Sequence, residues 1–132
     1  MGGVSEASAA VSRSSMGAYS YGGKSYENQA QVQHKSDYSS GSLAMDAGTR
    51  VKRTEFLPPN TAMKLKGNLY RFGQLCGSSS YHTVSAIDMH MPTLVSKSCG
   101  FGGYTSRGTT GAVDGGVWKY WNTPTTGTLC GG

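Results

Sequence analysis

The chain is short of the residues that usually fill a protein core. Leu, Ile, Val and Phe supply 19 of its 132 residues, about 14%, where a globular domain seldom falls below roughly 20%. No stretch approaches the roughly 20 apolar residues of a membrane span. Met1 to Ser15 stays small and polar, without the basic start and apolar run of a secretory signal. The expectation is a soluble chain made in the cytoplasm with no signal peptide. Acids are scarce as well, 7 against 12 Lys and Arg, which leaves little material for the paired carboxylates of acid–base catalysis.

What the chain has instead is 20 Gly, 8 Tyr and many Ser. Gly and Ser gain little burial and lose much chain entropy on ordering. The aliphatics are uneven: residues 1–48 hold only Val4, Val11, Val32 and Leu43, and most of the rest fall in 51–99. The expected organisation is an extended low-complexity arm, 1–48, followed by a small β domain, 49–132, with a Gly/Thr-rich C-terminal part. A compact core of about fifty residues is marginal alone, so stability is expected from neighbouring chains. Tyr19, Tyr21, Tyr26 and Tyr38, spaced among small residues, would then be contacts laid on an adjacent subunit. Within the arm, Val4, Ala7, Ala10 and Val11 share one helical face and mark a short helix over Ser5–Arg13.

From Arg50 onward the pattern is that of strands. Val51 to Leu57 is β-prone, Pro58-Pro59-Asn60 is a turn signal, and Met63-Lys64-Leu65-Lys66 alternates as a half-buried strand does. Gly67-Asn68 permits a second turn before Leu69 to Cys76. His82 to Met91 alternates again, Pro92 closes that strand or marks a sheet edge, and Thr93 to Cys99 and Val117 to Trp121 complete a set of about five or six strands. The fold class is mainly β, a small antiparallel β-sandwich or barrel-like unit with an extended N-terminal arm and Gly-rich C-terminal loops. Cys76, Cys99 and Cys130 make an odd count, and in a cytoplasmically assembled particle all three are expected to be reduced.

Charge concentrates in one place. Arg50, Lys52, Arg53, Lys64, Lys66 and Arg71 stand against the single acid Glu55, while the rest of the chain is balanced. This segment is a solvated, Lys-decorated strand edge or a contact for phosphate, anionic glycan or an acidic protein face. The alternation of Lys64, Lys66 and Arg71 with Leu69, Tyr70 and Phe72 also fits the mix of cations and stacking faces used by single-strand binders. In Val117-Trp118-Lys119-Tyr120-Trp121, Trp118 and Tyr120 would face one way and Trp121 the other, one set filling core and the other covered by a partner or forming a contact surface.

Other chemistry fails on spacing. Cys76, His82, His90 and Cys99 lack the close ligand pairs of a zinc site. His82, Asp88 and His90 share strand parity but have no nucleophile turn beside them. The glycine clusters match neither G-x-G-x-x-G nor a P-loop. No catalytic residue, metal or cofactor is therefore assigned.

The C-terminal stretch, Gly115-Gly116-Val117-Trp118-Lys119 and then Thr126-Gly127-Thr128-Leu129-Cys130-Gly131, resembles the glycine-rich tips of bacteriophage tail fibres and related pilus-tip adhesins. The resemblance implies a non-enzymatic structural protein of the phage virion, in the tail, baseplate or capsid surface, acting in assembly or host attachment. Its partners would be other copies of itself, other virion proteins and a host surface glycan. Two alternatives are a carbohydrate-binding adhesin module and a basic nucleic-acid-binding protein. The candidate contact residues are Tyr19, Tyr21, Tyr26, Tyr38, Lys64, Lys66, Arg71, Trp118, Tyr120 and Trp121.

Overall fold

The structure, a computed structural model, describes residues 10–35, 44–55 and 61–131. They form thirteen strands: β1 Val11–Arg13, β2 Gly17–Tyr21, β3 Lys24–His34, β4 Met45–Arg53, β5 Thr61–Lys66, β6 Asn68–Arg71, β7 Gln74–Ser78, β8 His82–Ala86, β9 Asp88–Lys97, β10 Gly102–Ser106, β11 Thr109–Asp114, β12 Val117–Asn122 and β13 Leu129–Gly131. All pairings are antiparallel. The mainly β expectation holds.

One layer is built on β3 and β4. The long β4 pairs β3 on one side and β9 on the other, while β1 and β2 lie end to end along the far edge of β3. At the break between them Ser14 stands in for a missing rung: its N–H donates to the Ala30 carbonyl at 3.0 Å, and its Oγ accepts from the Ala30 N–H at 2.9 Å. Pro92 does mark an edge. It sits in β9, the outer strand, where the β4–β9 register shifts between Ala47 and Thr49.

The other layer contains two four-stranded sheets, β12-β11-β5-β8 and β13-β10-β6-β7. Their orders correspond strand for strand: β5 runs into β6, β7 into β8, β10 into β11 and β12 into β13. They amount to one long layer creased across its middle. Short side chains bridge the crease, where the N–H groups of Gly67, Ser106 and Gly108 donate to the hydroxyls of Ser79, Thr126 and Thr123 at 2.9–3.0 Å. Gly108 lets the first layer come close, since a β-carbon there would run into the Thr49 side chain and lie 3.0 Å from the Lys66 carbonyl oxygen.

The crease separates two cores. Val32, Met45, Ala47, Leu69, Cys76, Val95 and Tyr104 fill one. Tyr26, Val51, Met63, Leu65 and Ala112 anchor the other, packed by Tyr19, Tyr21, Met89, Met91 and Trp121 among others. Tyr, Met and Trp thus supply the volume that the missing aliphatics do not.

Several expectations change. The described residues of the expected arm, 10–35 and 44–48, supply β1, β2, β3 and the start of β4, which runs through the proposed 48/49 boundary. Of the Ser5–Arg13 helix, residues 5–9 lie outside the described residues and Val11–Arg13 is strand. The Pro58-Pro59-Asn60 turn lies outside them too. Gly67-Asn68 is the crease, and the tight turn falls at Phe72-Gly73. The strand expected over Val117 to Trp121 is β12, but the Gly-rich loops expected around it also contain β10, β11 and β13. Cys76 and Cys99 are joined in a disulfide and Cys130 is free and exposed, so the three thiols are not all reduced.

Candidate ligand-binding face

The candidate residues divide into three groups. Strand parity turns Tyr26 of β3 inward, and the register sets Tyr19 of β2 directly opposite it. The two rings stack at 5.3 Å, Trp121 stacks on Tyr19 at 4.2 Å, and Tyr21 tilts against Trp121 at 5.8 Å. The Tyr19 and Thr110 hydroxyls are 2.6 Å apart, and Asn28 Nδ2 donates to Thr110 Oγ1 at 2.9 Å. Burial pushes the Tyr19 hydroxyl pKa up to about 12 and raises that of Tyr26. Tyr19, Tyr21, Tyr26 and Trp121 are therefore packing residues, not arm contacts; a small core with few aliphatics needs their area. Tyr38 lies outside the described residues.

Lys64, Lys66, Trp118 and Tyr120 do come together, on the solvent side of the creased layer. The register places Tyr120 across Gly111 from Lys64, and Trp118 across Val113 on the adjoining row. Gly111 makes the row possible: a β-carbon there would sit 2.8 Å from the Tyr120 ring and 3.3 Å from Lys64 Cβ. The ring therefore lies down over the glycine. Lys64 Nζ is 4.3 Å from the Trp118 ring centroid, Lys66 Nζ is 5.3 Å from that of Tyr81, and the Tyr81 and Tyr120 rings are 5.0 Å apart. Burial, and then the neighbouring Tyr120, raise the pKa of Tyr81.

The same face continues past the crease. The Arg107 guanidinium lies 5.7 Å from the Tyr70 ring and donates to its hydroxyl at 3.4 Å. With Gly73, Thr105 and Thr125 these two line a cleft of about 240 Å³. Tyr70 is the stacking face that the sequence sets among Lys64, Lys66 and Arg71, and it shares strand parity with the two lysines across Gly67; Tyr81 and Arg107 carry no such signal in the sequence. Among the described residues of this layer the one carboxylate is Asp114, beside the β11–β12 turn and against Gly22 of the first layer. The face thus carries four aromatic rings and three cations with no acid between them.

Arg71 stands apart from this face. Its Nε and Nη2 donate to the Phe101 carbonyl at 3.2 and 2.9 Å, and its guanidinium lies 4.8 Å from the Phe72 ring.

The catalytic and zinc patterns also separate. His82 is on β8, whereas Asp88 and His90 are on β9 in the other layer, and Asp88 pairs with Arg50 at 2.6 Å. The disulfide takes up Cys76 and Cys99, and no cluster of three or more metal-ligating side chains occurs among the described residues. No helix among them is long and apolar enough to cross a membrane. Set against protein-family models, curated proteins and solved structures, the chain matches none.

Proposed function

We propose that this chain is a non-enzymatic attachment module that binds an anionic glycan along the outer face of the creased layer. The carrying observation is that face: Tyr70, Tyr81, Trp118 and Tyr120 interleaved with Lys64, Lys66 and Arg107, without a carboxylate among them. Sugar rings present C–H faces that pack on aromatic planes, and carboxylate or sulfate groups meet ammonium and guanidinium donors. The Thr105 and Thr125 hydroxyls in the cleft add donors and acceptors for sugar hydroxyls.

Single-stranded nucleic acid would use the same kinds of residue. The Cys76–Cys99 disulfide favours the glycan, because disulfides persist in oxidising surroundings outside the cytosol. An exposed position on a phage tail or baseplate, the role implied by the tail-fibre resemblance, accords with both the disulfide and a glycan ligand. Assembly through a tyrosine arm loses its support, since Tyr26 is in the core and Tyr19 and Tyr21 pack against it.

The test is titration of the chain with sulfated or uronate-rich oligosaccharides, their neutral counterparts, and oligothymidylate. The proposal expects binding to the anionic sugars that falls about tenfold or more in Tyr120→Ala and in Lys64→Glu. Preference for oligothymidylate with a steep salt dependence would instead assign the face to nucleic acid.

A further inference from the structure

We infer that the end of the molecule formed by the β6–β7 hairpin and the loop before β10 docks on an anionic lipid surface. Phe72, Leu75 and Phe101 are 69%, 61% and 76% exposed, more than any other large apolar side chain among the described residues. Monomeric proteins seldom leave such residues clustered in water without a use.

The local backbone makes this a display. Phe72 and Gly73 form a two-residue hairpin turn with φ of 51° and 78°. Asn and Gly suit such left-handed corners, and a bulky side chain there is strained. The other two tight hairpins carry Gly22-Gly23 and Gly115-Gly116 at the same positions, so Phe72 is the departure, and strain retained at an exposed position points to function.

The projections are held firmly. Cys99 is bonded to Cys76 of β7, its N–H donates to the Tyr104 hydroxyl at 2.9 Å, and that hydroxyl in turn donates to the Gly100 carbonyl. Arg71 ties the two tips together by touching the Phe72 ring and the Phe101 carbonyl.

Charge selects the partner. Arg71 lies between the two apolar tips and Lys97 packs its chain beside Gly77 of the adjoining β7, and the carboxylate on the strands at this end, Asp46, is buried and accepts from Thr93 Oγ1 at 3.0 Å. Projecting apolar side chains with cations behind them match an anionic membrane, where the rings enter the interface and the cations meet phosphate or carboxylate headgroups. A second copy would bring like charges together.

The experiment is co-sedimentation of the full chain with vesicles of phosphatidylcholine alone and with added phosphatidylserine. The inference expects binding that rises with phosphatidylserine and weakens with salt, and that drops about tenfold in Phe72→Asn and in Phe101→Ser. Asn suits the corner, so Phe72→Asn should keep or raise the melting temperature, which separates loss of docking from loss of fold. Tyr120→Ala should leave vesicle binding unchanged, so this inference and the glycan reading fail independently. Unchanged binding in Phe72→Asn, no binding to either vesicle, or a concentration-dependent dimer abolished by Phe72→Asn would overturn it.

Discussion

Replacing Tyr19 tests whether the tyrosines of the N-terminal third are core or contact. In Tyr19→Ala the stacks with Tyr26 at 5.3 Å and Trp121 at 4.2 Å disappear, along with the hydroxyl pair to Thr110 at 2.6 Å. Aromatic-to-alanine changes in cores cost about 3–5 kcal/mol, and the half-buried Tyr19 should fall near about 3 kcal/mol. A surface contact residue would change stability by no more than about 0.5 kcal/mol. With a urea slope of about 1.5 kcal/mol per molar, the midpoint should drop by about 2 M. Tyr19→Phe keeps both stacks, removes only the hydroxyl, and should cost about 1 kcal/mol.

The pH dependence adds a second readout. The folded-state pKa of Tyr19, about 12, lies above the ordinary 10.0, chiefly through burial, with the Thr110 hydrogen bond acting in the opposite sense. The neutral phenol is favoured by folding, so the stabilisation is complete below pH 10 and is lost as pH rises toward 12. Tyr19→Phe should flatten part of that alkaline decline in urea melts. An unshifted midpoint in Tyr19→Ala would return these tyrosines to the surface and refute the two-core account.

Three further outcomes are expected. Thiol titration of the unfolded, unreduced chain should find one free cysteine, Cys130; three would remove the disulfide from the argument. Cys76→Ser with Cys99→Ser opens a loop spanning 23 positions and should cost about 3 kcal/mol in denaturant melts. The Arg50 hydrogen bond, ahead of all other causes, lowers the Asp88 pKa below 3.8, while burial first, and then Arg50, lower His90 below 6.5. Both effects make acid destabilising. The His90 contribution is full above pH 6.5 and fades below it as the unfolded chain takes up a proton, whereas that of Asp88 is held above pH 3.8 and lost beneath it. Asp88→Asn should remove the lower step at a cost near neutrality of about 1 kcal/mol or less.

The β character could be read from Met63–Lys66 and from the opposite facing of Trp118 and Trp121, because charged or aromatic side chains make a period of two visible. β3 was hidden for a physical reason. Its inward positions are Tyr26, Asn28, Ala30 and Val32, and Asn and Ala are poor strand formers; Asn28 is buried because Thr110, 82 residues away, accepts its hydrogen bond. Gly67-Asn68 has turn chemistry but is crossed by a continuing strand, with the Asn68 amide donating to the Arg107 carbonyl at 2.8 Å. The Lys64–Trp118 and Tyr81–Tyr120 contacts depend on strand order, which local periodicity does not carry. The disulfide likewise needs two Cα atoms brought within 6.1 Å by the fold.

The most direct test of the glycan-binding face uses the two tryptophans, which point in opposite directions. In a nitrogen–proton correlation spectrum, titration with a sulfated or uronate-rich oligosaccharide should move the Trp118 indole signal and the amides of Lys64, Tyr81 and Arg107. The stacked Trp121 indole should move little. Shifts centred on the Arg50–Asp88 face of the first layer, or none at saturating sugar, would contradict the account.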